Sequence, residues 1–139
     1  METQTAFVFI EPKNSKINVH WRWTTFMTND EELGYINCWI PSFDLYFSAK
    51  SDELAKKKSQ AIMFAFIDHY LGNRTKGVKQ LALELHKLGF KANNDQNTMA
   101  NLVRNKVMKA KFSNSPSNIP FEFTSRNEMN QEHELELEA

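Results

Sequence analysis

The sequence has few of the residues that set covalent links or special backbone conformations. Its 139 residues include one cysteine, four glycines and four prolines. A single cysteine cannot form an internal disulfide, which is typical of a reducing compartment, and the scattered glycines exclude the standard phosphate-binding loops. No apolar stretch approaches the roughly 18–20 residues that span a bilayer, and the N-terminal residues lack the basic and apolar regions of a secretory signal. We therefore expect a cytoplasmic protein with no membrane association.

Neither sign of charge dominates the whole sequence, but charge is unevenly distributed along it. The 17 basic and 17 acidic residues cancel, and the content of 41% hydrophobic and 24% charged residues is typical of a folded domain rather than a disordered chain. Residues 1–71 hold 7 basic and 9 acidic residues, residues 72–112 hold 9 and 2, and residues 113–139 hold 1 and 6. Such segregation is informative about binding partners rather than about the fold.

The first third of the chain has the pattern of an antiparallel sheet. Between Ile17 and Met27 the odd positions are mainly apolar, aromatic or β-branched and the even positions mainly polar, as in a strand with one buried face. On the polar face of this strand, His20 lies beside Arg22, where we expect it to meet solvent or a partner. Further strands are predicted at Ala6–Ile10, Tyr35–Ile40 and Phe43–Ser48.

A long helix is predicted after the strands. Ser51 provides the hydroxyl of an N-terminal cap, and Asp52 and Glu53 suit the first turn. Apolar residues at helical spacing continue to Leu71, and Gly72 ends the helix. The stripe predicted to face the sheet consists of Ala61, Ile62, Ala65 and Phe66. The apolar residues outside it are predicted to form a protein interface, covered by the second half of the chain or by a second subunit in a symmetric dimer: Met63, Phe64, Ile67 and Leu71.

The second half of the chain is predicted to contain two short amphipathic helices. Their apolar faces begin at Val78 and Met99 and need to pack on each other or on the long helix. An edge strand at Ile119–Phe123 and a mobile acidic tail at Asn127–Ala139 follow. The predicted fold class is α+β: an antiparallel three- to four-stranded sheet packed by one long helix, then two short helices and a flexible acidic tail. The predicted segments are a sheet-helix core at 1–72, a basic two-helix extension at 73–112, and a loop, edge strand and tail at 113–139.

The residues that could carry out catalysis do not form a recognisable set. Cys38 lies between apolar residues of a predicted strand, where a buried, inert thiol is expected. The four histidines lack metal-binding spacing, and Asp52 and Glu53 serve the start of the helix. We predict no catalytic residue, no metal ligand and no cofactor. An enzyme would require Asp44, Asp52 or Cys38 to meet a histidine in a cleft.

The basic segment is the strongest functional signal in the sequence. Two helices joined by a turn and carrying excess positive charge suit nucleic-acid phosphates or an acidic protein; alternatively, the lysines only solvate the helices. As a helix-turn-helix motif, Leu88-Gly89-Phe90 fits the turn, but Lys91–Asn94 lengthens it and Glu84 replaces an apolar residue. The residues predicted to bind nucleic acid or an acidic partner are Lys79, Lys87, Lys91, Arg104, Lys106, Lys109 and Lys111.

A short pattern in the sheet-helix region resembles a known family. Gly34-Tyr35 opens a strand that stops at Pro41, a return strand follows, and Ser51 with Ala55 begins the long helix. Over residues 17–71 this pattern is similar to that of the HicB antitoxin family. The resemblance implies a β-β-β-α core that binds and blocks a small RNA-cleaving toxin of the HicA type, with appended helices that bind operator DNA.

Two hypotheses follow for the function, and neither is an enzyme. The first is a HicB-like antitoxin or regulator, a homodimer or higher oligomer, that binds a HicA-like toxin and operator DNA. The second is a stand-alone protein-interaction or oligomerisation module of the same fold without nucleic-acid binding. The first hypothesis predicts that the basic residues share one face of the folded protein, whereas the second does not require this.

Overall fold

One long strand organises the sheet of this protein. The computed structural model describes residues 5–72, 75–103, 109–115 and 127–138, which form an α+β fold with three helices and a seven-stranded antiparallel sheet. The predicted fold class is confirmed, but the sheet has more strands than the three to four predicted. The strands are β1 (Ala6–Lys13), β2 (Lys16–Asp30), β3 (Tyr35–Ile40), β4 (Leu45–Ala49), β5 (Lys91–Ala92), β6 (Ala110–Asn114) and β7 (Asn127–Glu138). The helices are α1 (Asp52–Leu71), α2 (Thr75–Lys87) and α3 (Asp95–Val103).

The 15-residue strand β2 has strand neighbours along both edges. β7 pairs with it from Lys16 to Met27. β1 pairs with residues 16–22 and β3 with residues 26–30. Because residues in both stretches also pair with β7, β1 and β3 share the opposite edge of β2, one after the other. β6 and β5 extend the sheet beyond β1, and β4 extends it beyond β3, so β2 joins two parts of the sheet.

The inner face of the sheet, which packs on α1 and α2, forms the main hydrophobic core. Odd-numbered side chains of β2 point to this face, and the predicted alternation is confirmed from Ile17 to Trp23. From Trp23 to Met27 every residue is buried, including the outward-pointing Thr24 and Phe26, so the alternation predicted there is wrong. Trp21 and Trp23 are at most 1% exposed. They lie in one cluster with apolar residues of β1, β6, α1 and α2, and Leu135 of β7 packs against it. All three predicted segments therefore contribute to a single core.

The helix α1 begins where the sequence predicts. Ser51 Oγ accepts a hydrogen bond from the Leu54 N–H at 3.2 Å, and Asp52 and Glu53 occupy the first turn. This bond satisfies one of the N–H groups that lack a partner at the start of a helix. The whole helix has 20 residues and packs on the inner face.

The side of α1 that meets the sheet differs from the predicted one. Met63, Ile67 and Leu71 lie in the main core and are at most 2% exposed. Phe66 of the predicted stripe packs against the main core, but the rest of the stripe is wrong. This half of the helix is apolar on nearly all sides, so its spacing does not fix which side faces the sheet. Long side chains remove more apolar area from water than alanines do, and they occupy the buried side. In the predicted stripe, Ile62 and Phe66 are half-buried, whereas Ala61 and Ala65 are exposed.

The helix α2 packs closely on α1 through a glycine. A Cβ atom at Gly77 would lie 1.7 Å from the Tyr70 carbonyl oxygen, so only a residue without a side chain fits there. Beyond this contact, α2 contributes Val78, Leu81 and Leu85 to the core. Gly77 thus fixes the start of α2 against the end of α1.

The predicted mobile acidic tail is wrong, because residues 127–138 form the strand β7. This segment is poor in apolar residues, but from Glu132 onward its glutamates alternate with histidine and leucine, as in a strand with one wet face. Leu135 and Leu137 pack against the core. Pairing with β2 stabilises a segment whose composition alone indicates disorder.

A buried hydrogen-bond network also fixes β7 to α1 and β2. Ser59 Oγ donates to Gln131 Oε1 at 2.7 Å and accepts from Trp23 Nε1 at 2.7 Å. Thr25 Oγ1 lies 3.0 Å from the same hydroxyl oxygen, and Gln131 Nε2 donates to the Lys56 carbonyl at 3.4 Å. Ser59 and Thr25 are fully buried. Their mutual hydrogen bonds offset the cost of removing these polar groups from water.

Three further predictions concern the remaining segments. Ser113 and Asn114, assigned to a loop by the sequence, belong to β6 because they pair with Phe7 and Ala6 of β1. The predicted edge strand Ile119–Phe123 lies outside the described residues. Within the described residues, no helix is long and apolar enough to cross a membrane.

Candidate functional site

The outer face of the sheet, opposite the helices, carries polar and aromatic residues in ordered rows. Side chains alternate between the two faces of a strand, so the even-numbered residues of β2 point outward. In an antiparallel sheet, directly opposed residues of neighbouring strands have adjacent side chains. The pairing of β5, β6, β1, β2 and β7 therefore aligns outward-pointing side chains across five strands.

Two of these rows have a phenylalanine at their centre. The first row consists of Lys91 of β5, Ser113 of β6, Phe7 of β1, Arg22 of β2 and Glu132 of β7. The second row consists of Lys111 of β6, Phe9 of β1, His20 of β2 and Glu134 of β7. Each row begins with a lysine on the β5–β6 side and ends with a glutamate on β7, so the charge changes sign across the sheet.

The two phenylalanine rings are half-buried against cationic side chains. The guanidinium carbon of Arg22 lies 4.9 Å and the Nζ atom of Lys111 4.8 Å from the Phe7 ring centroid. The Nζ atom of Lys109 lies 5.7 Å from the Phe9 centroid. At these distances the negative face of an aromatic ring attracts the cation, by about 0.5–1 kcal/mol at an exposed site. The centre of the outer face is therefore both aromatic and cationic.

The imidazole of His20 links this centre to β7. Its Nε2 lies 2.9 Å from Glu132 Oε2 and its Nδ1 lies 3.7 Å from Glu134 Oε1. The ring also meets the Phe7 ring edge to face, at a centroid distance of 5.0 Å. One imidazole therefore contacts two carboxylates that are two residues apart on the same strand and holds both on the outer face.

The glutamates of β7 form a line of negative charge that we call the acidic column: Glu132, Glu134 and Glu136. Their side chains are 53%, 79% and 58% exposed, and Lys16 Nζ contacts Glu136 at 3.3 Å. On the opposite side of the face, the exposed lysines form the basic column: Lys91, Lys109 and Lys111.

The two columns are close enough for one protein partner to cover both. Strands β6 and β7 are three strand spacings apart, which at about 4.8 Å each gives a separation of about 14 Å.

A shallow depression of about 380 Å³ lies beside the acidic column. It is open to solvent, and its walls combine an aromatic ring with charged and amide groups. Small-molecule sites usually enclose most of their ligand and are mainly apolar, so this depression is better suited to a side chain of a larger partner. Its walls are formed by Phe9, Glu11, Asn18, Val19, His20, Glu134, Leu135 and Glu136.

The structure does not bring the predicted basic residues together on one face. Lys91, Lys109 and Lys111 belong to the basic column at the outer face of the sheet. Lys79 and Lys87 lie on α2, which packs on the inner face. Two members of the set, Arg104 and Lys106, lie outside the described residues. The described members thus occupy two opposite layers of the fold.

Three of the four residues predicted to form a protein interface are core residues. Met63, Ile67 and Leu71 are buried between α1, the sheet and α2, because α1 is rotated relative to the predicted orientation. Phe64 is 42% exposed, and its ring lies 6.3 Å from that of His133 on β7. Phe64 is therefore the member of this set that remains available to a partner, at the side of α1 that faces β7.

The environment of Cys38 is that of an inert thiol. Its side chain is 1% exposed, and burial raises the thiol pKa to about 11, although the nearby Lys58 acts in the opposite direction. A thiol with this pKa is protonated near neutral pH and is a poor nucleophile. Among the described residues, no three histidine, cysteine, aspartate or glutamate side chains are placed to hold a metal ion.

Sequence reasoning missed most of the outer-face site. It identified His20 and Arg22 as neighbours on a polar strand face, and the structure places both there. It missed Phe7 and Phe9, although their alternation with Ala6, Val8 and Ile10 was a visible signal for an outward-facing aromatic pair. It also missed the acidic column, because glutamates at every second position were interpreted as a mobile tail.

Comparison with protein-family models, curated proteins and solved structures finds no match to this chain. The outer face therefore has to be interpreted from its own chemistry.

Proposed function

We propose that this chain is a non-catalytic, HicB-like antitoxin or regulator that holds a small basic toxin of the HicA type on the outer face of its sheet. The observation that supports this function is the charge-graded outer face, with two phenylalanines at its centre and the acidic column along β7. Aromatic and arginine side chains are enriched where proteins bind each other, and complementary charge favours the correct partner. A basic protein would place its cations along the acidic column.

The same arrangement supports a protein partner over operator DNA. Binding to a duplex depends on cations that neutralise phosphates. The basic column could supply them, but a duplex lying across the rows would also meet the exposed carboxylates of Glu132 and Glu134. Lys79 and Lys87 lie on the other layer of the fold and cannot join the same contact. The proposal therefore predicts that the full chain does not bind a DNA duplex even at about 50 mM salt, where contacts to phosphates are strong.

The test is to express the chain together with a HicA-type toxin in bacterial cells. We expect growth to be restored and the two proteins to elute as one complex in size-exclusion chromatography. The double substitution Glu132→Lys with Glu134→Lys should abolish both effects. The matched control, Glu31→Lys with Glu32→Lys, makes the same charge change in an exposed turn and should leave both intact.

Each other outcome has a definite meaning. Failure of the unaltered chain to bind the toxin would reject the antitoxin proposal and leave the stand-alone interaction module. Equal loss of binding in both double variants would show that total charge matters rather than the outer face. Retained binding in both would place the toxin on another surface.

A further inference from the structure

The strand β7 lies at an edge of the sheet. Among the described residues, the stretch from Glu132 to Leu137 pairs only with β2, so the second edge of this stretch presents backbone N–H and C=O groups. Unpaired strand edges accept extended segments of other chains, with the backbone supplying affinity and alternate side chains supplying specificity. Nothing in the outer-face interaction described above requires this edge, so it is a distinct element of recognition.

The two sides of β7 define which side chains an added strand would need. On the outer side, the acidic column offers three exposed carboxylates at every second position. On the inner side, Leu135 and Leu137 are half-buried, and the exposed ring of Phe64 lies near His133. An added strand would therefore place basic side chains beside the glutamates and apolar side chains beside the leucines and Phe64.

We propose that this edge of β7 binds an extended segment of the partner in which basic and apolar residues alternate, as an additional strand of the sheet. The inference rests on the proposed function, since it specifies how a basic protein partner is recognised. The three glutamates span about 14 Å along the strand, because the five residues from Glu132 to Glu136 are separated by four steps of about 3.4 Å. The segment therefore needs basic residues at three alternating positions.

The acidic column also argues against a second copy of this chain as the occupant. Two β7 strands joined edge to edge in a continuous sheet would have their outer sides on the same face. Glutamates of one copy would then lie beside glutamates of the other, and like charges opposite each other destabilise a strand pair. A basic segment removes this repulsion and adds favourable pairs.

The first experiment follows amide hydrogen exchange in the full-length protein by NMR. In an antiparallel edge strand, alternate amides point away from the sheet, so every second amide of β7 should exchange rapidly while its neighbours are protected by β2. Protection of all amides from Glu132 to Leu137 in the free monomer would mean that the edge is already covered by another part of this chain. Concentration-dependent protection would mean that a second copy covers it. Either result overturns the proposal.

The second experiment adds an end-blocked heptapeptide of alternating lysine and valine, starting and ending with lysine. We expect chemical-shift changes along β7 and protection of the rapidly exchanging amides. A control peptide of the same composition has its three valines in one central block and two lysines at each end. It keeps the charge but loses the alternation, so it should bind about tenfold more weakly, since several weak pairs are lost together. Equal binding of the two peptides, or shift changes confined to other surfaces, would overturn the proposal.

The third experiment compares two charge-matched variants of the full chain. The triple substitution Glu132→Gln, Glu134→Gln and Glu136→Gln should weaken binding of the alternating peptide about tenfold. The control carries Glu31→Gln, Glu32→Gln and Glu53→Gln at exposed positions outside the acidic column and should bind like the unaltered chain. Far-UV circular dichroism and thermal unfolding check that both variants are folded. Equal affinities of the two variants would reject the acidic column as the determinant.

These experiments separate the edge proposal from the antitoxin proposal. Peptide binding at β7 without any toxin complex would support the edge site and reject the HicA-type partner. A toxin complex that forms while the peptide fails to bind β7 would support the antitoxin and reject strand addition.

Discussion

The inner and outer faces of the sheet are built from alternate residues of the same strands, and they differ in packing and in charge. On β2, Trp21 and Trp23 point inward and are almost completely buried, while His20 and Arg22 point outward and contact charged or aromatic groups. The inner face has a buried polar network, whose hydroxyl and amide groups bond one another. The outer face keeps its charges in water. We infer that the inner face determines stability and the outer face recognition, and substitutions can test this separation.

The largest effect on stability should come from an inner-face contact of α1. Ile67→Ala removes a fully buried side chain from the main core, and such truncations cost about 2–5 kcal/mol because they also leave a cavity. Chemical denaturation of the variant and of the parent chain measures this loss. The control Phe64→Ala, on the exposed side of the same helix, should cost clearly less. A similar loss for both would contradict the orientation of α1.

A comparable effect is expected where α2 meets α1. Gly77→Ala would place a methyl group against the Tyr70 carbonyl oxygen, where the backbone cannot yield as a flexible side chain could. Overpacking typically costs about 1–3 kcal/mol, and this close backbone contact belongs at the upper end. Thermal unfolding provides the measurement, with Leu83→Ala on the exposed side of α2 as control. If the alanine variant is as stable as the parent, the helices do not approach this closely.

A smaller loss should follow from removing the centre of the buried network. Ser59→Ala leaves the Trp23 indole N–H and the Gln131 amide oxygen without their shared partner. Unsatisfied buried polar groups cost about 1–3 kcal/mol. Because Gln131 lies on β7, hydrogen exchange of β7 amides should accelerate more than that of β1 amides. Uniform acceleration across the sheet would indicate that the network does not fix β7 in particular.

The smallest effect on stability is expected on the outer face. His20→Ala removes two partly exposed contacts with the acidic column, and such pairs contribute about 0.2–1 kcal/mol. The affinity for the proposed basic partner should nevertheless fall, because the carboxylates lose the imidazole that holds them. Calorimetric titration beside a denaturation curve measures both quantities. A large loss of stability with unchanged binding would contradict the separation of the two faces.

The parts of the fold that depend on local pattern were predictable from the sequence. The alternation from Ile17 to Trp23 and the cap at Ser51 are both present in the structure. The side of α1 that faces the sheet was not predictable, because apolar residues surround its second half and only the position of the sheet selects Met63 and Ile67. The strand β7 was missed because its stability comes from pairing with β2 and from Ser59, which no local window contains.

The candidate site was predictable only in fragments. His20 was visible as an outward-facing polar residue of a periodic pattern, whereas the glutamates of β7 were interpreted as part of a mobile tail. Their contact depends on strand pairing between positions 112 apart in the chain. The row that joins Lys111, Phe9 and His20 similarly requires three strands from distant segments. A single sequence without such pairings indicates some members of the site but not their arrangement.

The pairing of β2 with β7 has a consequence for biosynthesis. The side chains of His20 and Glu132, which contact each other diagonally across these strands, are 112 positions apart. At a translation rate of about 5–20 residues per second, β2 emerges about 5–20 s before the strand that covers its second edge. Contacts between such distant segments also slow folding in general. During this interval the nascent chain presents the tryptophan-rich strand with an open edge, and a chaperone that binds extended apolar segments would find its main target there.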